Sequence, residues 1–198
     1  MRMEKFNILY DHYKDTYAII AQNINFRNRF FILTFIIMIL QFLFAVNQQS
    51  IATLIISLVY NTYEIDVSGQ ISIIQCLLWI ILLYITMRYY QTNVYIERMY
   101  LYIHVLENQI ENNLKFNFNR ESKNYLKNYP KMNDMIDFLY KWFFPVLYCT
   151  VIIIKITTEF KQIENMILFI IDLVVFSVCF ELTLLYLLFL HNKNPINE

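Results

Sequence analysis

Three ionisable side chains stand inside runs that are otherwise apolar: Lys155 in Val151-Ile-Ile-Ile-Lys-Ile-Thr157, and Asp172 and Glu181 in the segment 166–190. Charges placed in hydrocarbon are costly, so they face a bundle interior or water. Asp172 is expected at the depth of Lys155 on an antiparallel neighbour, where the two form an ion pair; a permeation role is the alternative. Glu181 follows nine residues later, which puts it on roughly the opposite face of a helix. The two carboxylates therefore do not face one pore of a single bundle. Three readings stand for Glu181: it lines a wet path, it binds a neighbouring subunit, or it is a protonated packing residue.

Other chemistry is thinner. Arg98 and His104 have an Arg-x5-His spacing met in helical ribonucleases, where an imidazole exchanges protons beside a scissile phosphate and a cation balances its charge. Here Met99 follows the arginine, and six residues separate the pair widely around a helix. A solvated helix face is the default reading, and no enzyme is expected. Gln41 and Gln75 are read as hydrogen-bonding glue between spans. Cys76, Cys149 and Cys179 all lie in apolar runs and read as small buried hydrophobes, without a disulfide framework or metal spacing. No phosphate-binding loop or nucleophile-plus-base motif occurs, and no cofactor or metal is expected.

The elements that must position these residues are helical. The chain has 198 residues, one glycine and three prolines, and is 58% hydrophobic, too apolar for an ordinary soluble domain. Ile71–Met87 carries no charge and is about long enough to cross a bilayer. Arg88-Tyr89-Tyr90 then reads as an interface. Beyond it Ile96, Met99, Ile103, Leu106 and Ile110 recur three and four apart, the seam of a stalk that leaves the membrane and packs against another helix. That partner is the amphipathic segment 1–29 or a neighbouring subunit. Phe30–Val46 is a first span, Trp142–Thr157 a third with Pro145 as a kink, and 166–190 a fourth. Residues 51–59 are too short to cross; an outer interfacial segment is preferred to a continuation of the first span. A short helix stopped at Tyr129 before Pro130 and a cap at Asn133 are expected after the stalk.

Net charge is zero, so no bulk field points to nucleic acid, and no direct nucleic-acid binding is expected; Lys and Arg are nonetheless segregated. Residues 1–29 carry five and 88–141 carry eight, against none in the first outer connection and two, Lys155 and Lys161, around the second. The positive-inside rule places both termini and the stalk in the cytoplasm of a multi-pass inner-membrane protein surrounded by lipid. No signal peptide is expected at the start. The expected layout is 1–29 cytoplasmic helix, 30–87 spans one and two, 88–136 stalk and short helix, 137–190 spans three and four, and 191–198 tail. Glu97, Arg98, His104, Glu107, Arg120 and Glu121 are the candidate polar positions of the cytoplasmic domain.

Asn93-x3-Glu97-Arg98-x-Tyr100-x-Tyr102-Ile103-His104-x-Leu106-Glu107, followed by Arg120-Glu121-x3-Tyr125-Leu126-x2-Tyr129-Pro130, resembles the accessory four-span membrane proteins of type VI-B CRISPR loci. The resemblance implies a role in antiphage defence beside an RNA-guided RNase, exerted from the membrane, and supplies no catalytic residue. Two function classes follow. In one, the chain is an effector whose subunits assemble through the stalk as a homo-oligomer and permeabilise the inner membrane. In the other, it is a regulatory or anchoring module that binds the RNase or a ligand through its cytoplasmic helices without forming a pore.

Overall fold

The computed structural model describes residues 2–114, 135, 138–163 and 165–191. Five α-helices organise them: α1 (Arg2–Val46), α2 (Gln48–Tyr63), α3 (Ile71–Leu114), α4 (Phe144–Lys161) and α5 (Met166–His191). A 3-10 turn at Ser68–Gln70 leads into α3 and a π-helical turn at Leu139–Phe143 into α4; no strand occurs among the described residues. Four helices are long and apolar enough to cross a membrane, within Phe6–Val46, Ser68–Asn113, Leu139–Lys161 and Met166–Leu190. The chain is an all-α, multi-span protein. The short helix expected before Tyr129, the cap at Asn133, the tail, and Arg120 and Glu121 lie outside the described residues.

Neither α1 nor α3 contains a glycine or proline, so nothing local interrupts 45 and 44 residues of helix. At the end of α1, Asn47 leaves helical geometry with φ −148° and its Oδ1 accepts the Ser50 N–H at 3.2 Å, starting α2 as a separate helix. Residues 51–59 therefore do not continue the first span. With 16 residues α2 is about 24 Å long, short of the roughly 30 Å hydrocarbon core, and none of its residues is buried. It stops at Glu64, whose φ of 57° is left-handed and whose N–H reaches the Tyr60 carbonyl at 2.8 Å. Gly69, by contrast, sits where a Cβ would meet nothing within 4 Å, so the turn there does not require it. Asp66 in the same connection accepts the Ser68 N–H at 2.9 Å, and that bond holds its carboxyl below the usual range. Pro145 follows closely on a π-helical turn in continuous helical backbone, where it cannot donate to the turn before it. The local distortion is the preceding π-turn, in which the Phe144 N–H reaches back to the Leu139 carbonyl.

The described residues pack as two units. The first comprises residues up to 30 and those from 89 to 137; the second comprises 31–88 and 138 onward. In the first, Tyr13 and Ile20 of α1 pack on Ile96, Ile103, Leu106 and Ile110 of α3, with Phe6, Leu9, Ile24, Met99 and Tyr100 at the margins. The stalk seam is thus covered by the N-terminal segment of the same chain. In the second unit, Met38, Trp79, Leu82, Tyr148, Val151, Ile152, Ile156, Val175 and Cys179 make the core. Phe31 packs against Tyr140 and Phe144 there, with ring centroids 5.0 and 4.8 Å apart.

Candidate functional site

The second unit buries a set of polar side chains amid that apolar core. Lys155 on α4 is 1% exposed. Its Nζ lies 2.8 Å from Glu159 Oε1, one turn further along the helix, and donates to Gln75 Oε1 of α3 at 3.0 Å. The Phe44 ring of α1 covers the ammonium at 5.6 Å. Glu159 also accepts the Trp79 indole N–H at 3.1–3.2 Å. From α5, Asp172 is 5% exposed and has the Cys76 thiol, Lys155 and Glu159 as its ionisable neighbours. Four helices therefore meet around one ammonium and two carboxylates.

The expected ion pair between Asp172 and Lys155 is not the one formed. Lys155 pairs with Glu159, because a residue four positions on is the nearest acid that its stem can follow along one helix face. Asp172 keeps Oδ1 without a hydrogen-bond partner, as Gln75 does its Nε2. The glue expected of the two glutamines divides likewise. Gln75 bridges α3 to α4 through Lys155, whereas Gln41 is 0% exposed with both amide atoms unpartnered. A cavity of about 40 Å³ is lined by Ser72, Gln75, Glu159, Gln162 and Asp172 among others. It shares Gln48, Ser72, Gln162 and Ile163 with an open cleft of about 960 Å³ at the end of the unit that carries the α1–α2 and α4–α5 connections. On the opposite side Trp79, Leu82, Tyr148, Ile152 and Cys179 are 0% exposed, and Thr86 hydrogen-bonds Tyr148 at 3.2 Å.

Glu181 is exposed on α5, on the face away from Asp172. With Ile167, Ile171, Val174, Val178, Leu185 and Leu188, all exposed, it falls on an alternating four-and-three spacing. One carboxylate stands in an otherwise apolar heptad face that the described residues leave open.

In the first unit, Ile96, Ile103, Leu106 and Ile110 are buried and Met99 half-buried. Arg98 is exposed, and Glu97 and His104 are half-buried. Glu107 departs from the expected solvated face: it is 0% exposed and accepts from the Tyr13 hydroxyl at 3.4 Å. It lies four residues after Ile103 and three before Ile110, so the bulk of Tyr13 widens the seam to include it. Among the described residues no group of His, Cys, Asp and Glu could hold a metal ion, and the three cysteines are free.

Sequence reasoning missed Glu159, Trp79 and the open heptad of α5. The first carried a signal, its i,i+4 spacing from Lys155, although it stands just beyond the apolar run. Compared with protein families, characterised proteins and solved structures, the chain matches none.

Proposed function

We propose that this chain is a non-enzymatic membrane effector that self-assembles through the open face of α5 and perturbs a bacterial inner membrane in antiphage defence. The observation that carries the reading is Glu181, a carboxylate on an exposed apolar helix face. Facing lipid it would cost several kcal/mol, and a second copy of the same face gives it a partner and shelter. The stalk seam is already filled by the N-terminal segment, so assembly is assigned to α5 and not to the stalk. The core of the second unit is closed by fully buried Trp79, Leu82, Tyr148 and Ile152, so a leak runs between subunits and not through one. The Lys and Arg distribution supports cytoplasmic termini. The defence setting and the neighbouring RNA-guided RNase rest on the resemblance of residues 93–107 and 120–130.

Reconstituting the full chain in dye-loaded liposomes tests this reading. An oligomeric particle that releases dye is expected, with Glu181→Gln keeping the particle mass but releasing less. A monomeric parent chain that leaves the liposomes tight would overturn the effector reading and leave the regulatory or anchoring module.

A further inference from the structure

Charge balance and cavity shape in the second unit lead beyond assembly. Lys155 is neutralised by Glu159 at 2.8 Å. Asp172 is a second acid, 95% removed from solvent, with Oδ1 unpartnered. An ionised carboxylate in that setting needs a positive charge supplied from elsewhere. The groups that face it are the Cys76 thiol of α3 and Lys155 and Glu159 of α4; α1 faces the cluster with Phe44 over Lys155, and the neighbouring turns of α5 carry no ionisable residue.

Asp172 and the unpartnered Nε2 of Gln75 belong to side chains lining the same small cavity, an acid and an N–H donor with water-sized space between the walls. Its volume of about 40 Å³ holds on the order of three waters, given roughly 10–15 Å³ for each. Four of its lining residues also line the open cleft, so water reaches the cavity from the end that carries the connections. The buried ring and aliphatic layer of Trp79, Leu82, Tyr148 and Ile152 stops it there.

We propose that Asp172 is a proton-binding site served by a water-filled inlet that opens at the connection end of the bundle and is closed on the other side. A proton suits the site better than a metal cation, because the Lys155 ammonium stands beside it and a carboxylic acid can donate to cavity water that accepts from Gln75. The proton comes from and returns to that water, and no other bond changes. The site lies within one chain and does not depend on assembly through α5.

Two measurements on the detergent-solubilised full chain test it. Infrared difference spectra taken across a pH titration should show a protonated-carboxyl band that is lost in Asp172→Asn, shifted in Asp172→Glu and retained in Glu181→Gln. Adding sodium or potassium chloride at fixed pH should leave the band in place; its loss on adding either salt would overturn the proton in favour of a bound cation. With Cys76, Cys149 and Cys179 replaced by Ala, a charged, membrane-impermeant thiol reagent should modify Ser72→Cys fully and leave Leu82→Cys unmodified. An inert Ser72→Cys, or equal modification of both, would overturn the inlet even if Asp172→Asn failed to fold.

Discussion

The two units of this chain obey opposite rules although the same two helices, α1 and α3, supply residues to both. In the first unit the apolar side chains are inside: Ile103 and Ile110 are 0% exposed while Arg98 points out. In the second, the ionisable side chains of Lys155 and Asp172 are inside while Ile167, Val174 and Leu188 are more than half exposed. Each arrangement suits the solvent proposed for it, water around the first unit and hydrocarbon around the second. Water rewards burial of an apolar seam, whereas hydrocarbon does not penalise exposed leucine and forces charges inward to meet one another. The exceptions are then informative: Glu107 is a charge within the apolar seam, and Glu181 is a charge on the hydrocarbon-type face.

The sharpest way to break the contrast is Ile103→Asp. It removes a fully buried side chain, worth about 2–5 kcal/mol, and leaves an unpaired carboxylate in the seam. Amide exchange should show residues 6–30 and 89–113 losing protection together while the second unit keeps its own; unchanged protection would deny that the seam holds the first unit together. Next is Lys155→Met. Breaking a buried pair typically costs about 3–5 kcal/mol, because the partner is left charged and alone. The melting temperature in detergent should fall steeply, and Lys155→Met with Glu159→Gln should recover most of it. Equal losses in the single and double variants would contradict the pairing.

Both experiments probe features of different legibility. The four apolar helices and the packed seam of α3 were readable because long uncharged runs and a three-and-four repeat survive without any tertiary information. The opposition of Asp172 and Glu181 was readable from nine residues of helical rotation. The partner of Lys155 was not found from depth in a span, which pointed to Asp172; only the i,i+4 spacing of Glu159 marked it. Nor was the burial of Glu107, which depends on how far Tyr13 reaches across the seam. That residues 51–59 do not continue the first span was readable from their shortness, and the backbone at Asn47, capping α2 through Ser50, makes the separation.

Smaller effects grade the exceptions. Glu107→Ala removes the carboxylate beneath the Tyr13 hydroxyl and should cost about 1–3 kcal/mol, measured by urea-dependent exchange of the first unit; an effect below about 0.5 kcal/mol would return Glu107 to the class of surface positions. Arg98→Ala, on the exposed face, should stay within that same 0.5 kcal/mol or so. A loss as large as that of Glu107→Ala would show that Arg98 has a role beyond solvation.

Assembly through the α5 face bearing Glu181 is open to single-cysteine crosslinking along α5 in native membranes. With the native cysteines replaced by Ala, Val174→Cys, Val178→Cys and Leu185→Cys should each form a disulfide-linked dimer, and Leu173→Cys, exposed one position off that face, should not. Crosslinking without this periodicity, or none at any of the four positions, would contradict assembly through α5.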